Sequence, residues 1–95
     1  MSGYERDSIS LDRDRVVRHD APDGMKLALM DWSSGVHKEY AAAVNLNGAE
    51  YRLATWNSEE RAKVEFGALK QLVESGNYTL HIYEGGRIEI KADSE

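Results

Sequence analysis

The stretch that decides the fold runs Lys38-Glu-Tyr-Ala-Ala-Ala-Val-Asn-Leu-Asn-Gly-Ala-Glu-Tyr-Arg-Leu-Ala-Thr-Trp-Asn57. At its centre lies Asn47-Gly48, a dipeptide that strongly predicts a β-hairpin because both central residues of a type I′ turn need a positive φ. A two-residue turn fixes the register of its two strands. The pairs predicted on one face are Leu46 with Ala49, Val44 with Tyr51, Ala42 with Leu53, and Tyr40 with Thr55. Since most of these residues are apolar, we expect this face to line the core.

The segment before this hairpin predicts another strand. Residues 25–32 place apolar side chains on alternate positions, which is typical of a strand. A four-residue loop over residues 33–36 pairs Leu29 with Tyr40 and sets Asp31 against Lys38. Further towards the N-terminus, residues 21–24 read as a type I turn.

The first nineteen residues carry weaker signals. Residues 9–19 show no helical spacing of apolar side chains, so they are predicted to form a strand. Residues 1–8 are expected to be flexible.

Residues 57–76 predict the helix of the chain. Asn57 or Ser58 can cap its first turn, and Gly76 is expected to end it in the left-handed conformation. An apolar stripe at helical spacing faces the core. Its members are Ala62, Phe66, Leu69, Leu72 and Val73.

The remaining residues predict a C-terminal hairpin. Only a three-residue loop over residues 84–86 keeps its apolar side chains on one face. The resulting pairs are Ile82 with Ile88, Leu80 with Ile90, and Tyr78 with Ala92. The element order is then β-β-β-β-α-β-β, an α+β fold in which one helix packs on a face of an antiparallel sheet of five to six strands. Residues 1–95 are expected to form a single domain, which is what a chain of this length supports.

Composition excludes several classes of site. The chain has no cysteine, so disulfides, thiolate metal sites and cysteine nucleophiles are excluded. Its net charge of −5 makes a broad nucleic-acid surface unfavourable. No stretch is long and apolar enough for a membrane helix or a signal peptide, so a cytoplasmic protein is expected.

No catalytic, metal-binding or cofactor-binding residue is predicted. His19, His37 and His81 fall on separate elements, without the spacing of metal ligands. Asp12 and Asp14 alternate with arginines, which favours mutual neutralisation over a cation site. The protein is therefore not expected to be an enzyme, and a small enzyme without a recognisable motif is the remaining alternative.

Three arginines offer an alternative function. If residues 9–19 form a strand, Arg13 and Arg15, with Arg18 nearby, could face phosphate groups of a nucleic acid. A charged edge strand that resists aggregation explains the same pattern, and we prefer that explanation.

The back of the central hairpin carries the strongest functional signal. The predicted registers align Ala28, Ala41 and Ala54 as a floor of small residues beside larger side chains that are common at interfaces. The candidate partner-binding residues are Met30, Trp32, Ala41, Arg52, Ala54 and Trp56. The competing explanation is that the helix or the C-terminal hairpin of this chain covers that face.

The leading hypothesis is a small non-catalytic protein–protein interaction module. It would bind a protein partner, or a second copy of itself, through the second face of the sheet. Compact, acidic, cysteine-free chains of this size are used as prokaryotic or phage-encoded accessory and inhibitor proteins, which is an analogy of size and composition.

Overall fold

The computed structural model describes residues 3–17 and 23–93 and confirms the α+β class. Arg18, His19 and the first half of the predicted turn over residues 21–24 lie outside the described ranges. The strands are β1 (Tyr4–Ser10), β2 (Val16–Val17), β3 (Lys26–Asp31), β4 (Tyr40–Leu46), β5 (Ala49–Trp56), β6 (Tyr78–Ile82) and β7 (Ile88–Ala92). The helix α1 spans Glu59–Ser75, and single 3-10 turns form at Arg13–Arg15 and Glu84–Gly86.

The strands form two sheets, where a single sheet was expected. The large sheet has the order β1-β3-β4-β5, and all of its pairs are antiparallel. The small sheet has the order β2-β6-β7, and β2 pairs with β6 in parallel. The C-terminal hairpin therefore pairs with Val16 and Val17, although β7 still contacts β5.

The Asn47-Gly48 turn forms as predicted, with φ values of 50° and 85°. The predicted register holds from Leu46–Ala49 to Ala43–Arg52. Beyond that point Leu53 is an extra residue in β5, a β-bulge, so Ala42 pairs with Ala54 and Tyr40 with Trp56. The predicted pairs Ala42–Leu53 and Tyr40–Thr55 are wrong, because the bulge shifts the register by one residue.

The hairpin between β3 and β4 closes more tightly than predicted. Ser34 and His37 exchange two backbone hydrogen bonds of 2.9 Å, so the turn contains only Gly35 and Val36. Gly35 has a φ of 59°, which suits a glycine at the first central position of such a turn. The predicted four-residue loop is wrong, and each residue of β3 pairs two positions further along β4 than predicted. Leu29 pairs with Ala42, Asp31 with Tyr40, and Leu27 with Val44.

The N-terminal segment also differs from the expectation. Residues 4–8, which were expected to be flexible, belong to β1 and pair with β3. A register shift between Glu5 and Asp7 makes Arg6 a bulged residue. The single strand predicted over residues 9–19 is wrong, because the Asp12 carboxylate accepts a hydrogen bond of 3.0 Å from the Asp14 amide and starts a 3-10 turn.

The helix ends as the sequence predicts. Ser58 is the N-cap, and its hydroxyl accepts a hydrogen bond from the Arg61 amide at 3.3 Å. Gly76 closes the helix with a φ of 77°. Ala62, Phe66 and Val73 are buried, and the rest of the predicted stripe is partly buried.

One core joins the helix to both sheets. The C-terminal hairpin has the predicted register, and Tyr78, Leu80 and Ile88 contribute buried side chains to this core. The large sheet contributes the face that carries Leu27, Leu29 and the other inward residues of β3 and β4. We call this the inner face, and the opposite side of the large sheet the outer face.

Candidate functional site

The outer face carries its own small apolar cluster. Ala28 and Ala43 are fully buried, Met30 is 9% exposed, and Trp32 packs against them. Ala41 lies opposite Met30 in the register and is also fully buried. Among the described residues, no side chain of α1 or of the small sheet packs against this cluster.

Two of the predicted partner-binding residues do not lie on the outer face. The bulge at Leu53 pairs Ala54 with Ala42 and Trp56 with Tyr40, which turns both residues toward the inner face. Trp56 packs against the main core. The predicted row of Ala28, Ala41 and Ala54 therefore does not exist.

Larger side chains cover the alanines on the outer face. The Arg52 guanidinium lies 4.2 Å from the centre of the Trp32 ring, a cation–π contact. Lys26, at the other end of β3, forms a 2.6 Å ion pair with Glu5, which lies opposite Met30 in the register. The alanines of the outer face are thus buried under neighbouring side chains and are not available to a partner. The accessible part of this face lies at the Trp32–Arg52 stack.

That stack adjoins the turn between β3 and β4, and we call the combined surface the hairpin end. It consists of Trp32, Val36, His37, Lys38 and Arg52. Val36 is 100% exposed at the tip of the turn. Sequence reasoning did not select Val36, although the Gly35-Val36 pair lies between the polar residues Ser34 and His37, which marks an apolar side chain at a turn.

The charges of the hairpin end are mostly positive. Glu39 is its acidic neighbour, with His37 Nε2 at 3.3 Å and Arg52 at 3.9 Å from its carboxylate. A shallow cleft of about 490 Å³ continues the surface past Lys38 to Trp56 and Arg61. Both tryptophans therefore border this end of the molecule, on opposite sides of the sheet.

A buried carboxylate fixes the base of the hairpin end. Asp31 is 6% exposed and accepts hydrogen bonds from the Ser33 amide at 2.9 Å, from Arg6 at 3.0 Å and from the Tyr4 hydroxyl at 3.1 Å. The Ser33 amide is the main reason that the pKa of Asp31 falls to about 2, and Tyr4 and Arg6 add to the effect. Arg6 also binds Glu59 at 2.8 Å, and these two carboxylates raise its pKa. Asp31 thereby connects the β3–β4 hairpin to β1 directly, and to the helix through Arg6 and Glu59.

A second cleft, which sequence reasoning missed, lies between β1 and α1. Its volume is about 280 Å³, and we call it the helix cleft. Leu29, Tyr40, Ala62, Phe66 and Gly67 line its apolar part. No local signal marks it, because its walls come from four separate elements.

The arginines do not form the predicted strip. Arg13 and Arg15 lie on the 3-10 turn, and Arg18 lies outside the described residues. Arg13 contacts Asp23 at 3.3 Å, and Arg15 contacts Asp93 at 3.0 Å. Both cations thus have a carboxylate of this chain beside them.

The described histidines also lie apart. His37 faces Glu39, while His81 stacks on Tyr83 with the ring centres 6.1 Å apart. Within residues 3–17 and 23–93, no three acidic or histidine side chains come close enough together to hold a metal ion. None of the helical segments in these ranges has the length and apolarity needed to cross a membrane.

Comparison of the chain with protein-family models, with curated proteins and with solved structures gave no match.

Proposed function

We propose that this protein is a small non-catalytic interaction module that binds an acidic protein surface through its hairpin end. The observation that carries the proposal is a fully exposed Val36 at the tip of the same hairpin that carries the Trp32–Arg52 stack. Tryptophan and arginine are enriched among the few residues that dominate the binding energy of protein interfaces, since each offers a large contact area together with a polar or cationic group.

The geometry of the hairpin end supports a binding role. A two-residue turn held by paired backbone hydrogen bonds loses little conformational freedom when a partner binds. Asp31 anchors the base of the same hairpin through three donors. The exposed apolar side chain is therefore presented on a stiff support.

Charge decides the chemistry of the partner. Lys38 and Arg52 carry positive charge at the hairpin end, and Arg61 adds a third cation in the adjoining cleft. The acidic side chains near them are Glu39 and Glu59, and the Glu59 carboxylate is close enough to interact with Lys38. The chain as a whole carries a net charge of −5. This local excess of positive charge suits an acidic surface with an apolar centre, and it steers association most strongly at low ionic strength.

The test uses Val36→Glu, which places a negative charge at the apolar tip. Val64→Glu is the matched control, because Val64 is 69% exposed on the helix. A partner captured from the source cells is identified, purified and titrated against the wild type and both variants. We expect Val36→Glu to bind at least about tenfold more weakly, Val64→Glu to bind like the wild type, and added salt to weaken the binding.

Two outcomes would overturn the proposal. One is a purified partner that binds Val36→Glu as well as the wild type. The other is self-association in sedimentation experiments that Val36→Glu abolishes, because the hairpin end would then be a dimer interface. Circular dichroism of both variants establishes that any loss of binding is not a loss of fold.

A further inference from the structure

The turn of the β4–β5 hairpin brings together two groups that can react with each other. Asn47 and Gly48 are both exposed and make up the whole turn, because Leu46 pairs directly with Ala49. The carboxamide carbon of an asparagine, Cγ, is open to attack by the backbone nitrogen of the next residue, which closes a five-membered succinimide ring. Glycine hinders this attack least because it has no side chain. The space around Gly48 is also open, since a Cβ built there would meet no atom within 4 Å.

The other three asparagines have less favourable neighbours. Asn45 lies within β4 and is followed by a leucine with a buried side chain. Asn57 precedes Ser58, whose carbonyl and hydroxyl accept hydrogen bonds from the first turn of α1 at 2.9 and 3.3 Å. Asn77 precedes Tyr78, which is 2% exposed and belongs to β6. Of the four asparagines, all within the described ranges, the one in the turn alone has an exposed neighbour without a side chain.

Local opening of the backbone adds to this difference. A succinimide ring forms only when the chain at the asparagine rotates and brings the next nitrogen onto Cγ. Such an opening is easy at an exposed turn tip, whereas inside a strand it requires up to the whole free energy of unfolding. Asn45 is paired on both sides, with Lys26 and with Glu50, while Asn47 lies beyond the last pair of the β4–β5 ladder. The folded structure therefore permits the reaction at the turn and protects the paired strand.

We propose that Asn47 is a site of spontaneous modification, with water as the co-reactant. The Gly48 nitrogen loses its proton to hydroxide and bonds to Asn47 Cγ, and the Cγ–Nδ2 bond breaks to release ammonia, which takes a proton from water. Water then opens the ring at either of its two carbonyl carbons. Attack at Cγ gives aspartate, and attack at the main-chain carbonyl carbon gives isoaspartate, in which the main chain runs through Cβ and Cγ. In sum, an amide and water give a carboxylic acid and ammonia, with no change of oxidation state.

The product changes the hairpin in both charge and length. At neutral pH the new carboxyl group adds one negative charge to a chain whose net charge is −5. Isoaspartate also inserts an extra carbon into the main chain of a two-residue turn, whose length sets the pairing of Leu46 with Ala49. Since Val44 and Leu46 are buried, the strands cannot slip by one residue without exposing them. The isoaspartyl protein should therefore be less stable than the aspartyl protein.

The test follows the modification in the folded protein at pH 8 and 37 °C, with circular dichroism to establish that the chain stays folded. Peptide mapping by mass spectrometry measures each asparagine separately, and 18O-labelled water marks the new carboxyl group. Asn47 should react at least about tenfold faster than Asn57, whose neighbour is a serine, and Asn45 should stay unchanged. In urea, which unfolds the chain, the reaction at Asn57 should accelerate by a larger factor than the reaction at Asn47.

Two variants isolate the cause. Asn47→Gly removes the carboxamide and keeps a residue that suits a positive φ, so the mass gain and the label at the turn should disappear. Freshly purified Asn47→Asp carries the charge of the product on a normal main chain. The purified isoaspartyl form of the wild type should unfold at a lower urea concentration than Asn47→Asp.

The proposal is overturned if Asn47 is unchanged after four weeks while the chain stays folded, or if Asn57 reacts as fast. It is equally overturned if the wild type and Asn47→Gly gain mass at the same rate, or if the isoaspartyl form is as stable as Asn47→Asp.

Discussion

At the scale of single residues, Asp31 is the one buried polar or charged side chain among the described residues. Buried charges are unfavourable unless they are paired and hydrogen-bonded, and Asp31 meets both conditions. Its donors belong to β1 and to the turn that follows β3. Local sequence could not show this, because Tyr4 and Arg6 lie more than twenty residues away along the chain.

Asp31→Asn should destabilise the protein by about 2 kcal/mol at pH 7, because the charge that binds Arg6 is lost while the shape is kept. The pKa of Asp31 in the folded protein is about 2, below the ordinary value of 3.8. The stabilisation is therefore complete above about pH 5 and decreases as the pH falls toward 2. Urea unfolding of wild type and variant at pH 7 and pH 2.5 should show the two stabilities converging at the lower pH.

Asp23→Asn is the matched control for that experiment. The Asp23 side chain is 87% exposed and its contact with Arg13 spans 3.3 Å. Exposed pairs of this kind contribute less than about 1 kcal/mol, so this variant should unfold nearly as the wild type does. An equal effect of both substitutions at pH 7 would contradict the role assigned to burial.

At the scale of elements, the sequence predicted the faces of the strands better than their registers. Moving the β3–β4 pairing by two residues leaves every side chain on the same face, so the apolar pattern could not distinguish the two registers. In the C-terminal hairpin the competing loop would have moved apolar residues to opposite faces. There the pattern was decisive, and the predicted pairs are confirmed.

The bulge in β5 shows why the candidate surface was only partly predictable. Strict alternation would set Leu53 and Trp56 on opposite faces, whereas the structure packs both against the main core. The extra residue makes this possible, and it is determined by burial against the helix and the small sheet, which local sequence does not encode. Ala54 and Trp56 were assigned to the outer face for that reason, while Met30, Trp32, Ala41 and Arg52 lie there as predicted.

Two glycines of the helical segment should respond in opposite ways to substitution by alanine. Gly67→Ala should stabilise the protein by about 0.5–1 kcal/mol, since alanine favours the helix and its Cβ meets nothing. Gly76→Ala should destabilise it by about 1 kcal/mol, because the residue has a φ of 77°. Thermal unfolding followed by circular dichroism measures both shifts, and equal signs would contradict the assigned helix boundaries.

At the scale of the whole molecule, the two sheets are joined by burial more than by strand pairing. Side chains of α1, of the small sheet and of the inner face form one cluster. Val16 and Val17 connect the N-terminal segment to β6 by a short parallel pairing. Because neither sheet buries its apolar side without the other, the two should unfold together.

Leu80→Ala tests this cooperativity, because Leu80 lies in the small sheet while both tryptophans lie at the large one. Leu80 is fully buried, so its truncation should reduce the free energy of unfolding by about 2–4 kcal/mol. In a single cooperative transition, tryptophan fluorescence and far-ultraviolet circular dichroism must shift to the same lower denaturant midpoint. A fluorescence midpoint that stays at the wild-type value while the circular dichroism moves would mean that the small sheet unfolds alone. The hairpin end would then remain folded while the C-terminal hairpin, residues 78–92, is unfolded.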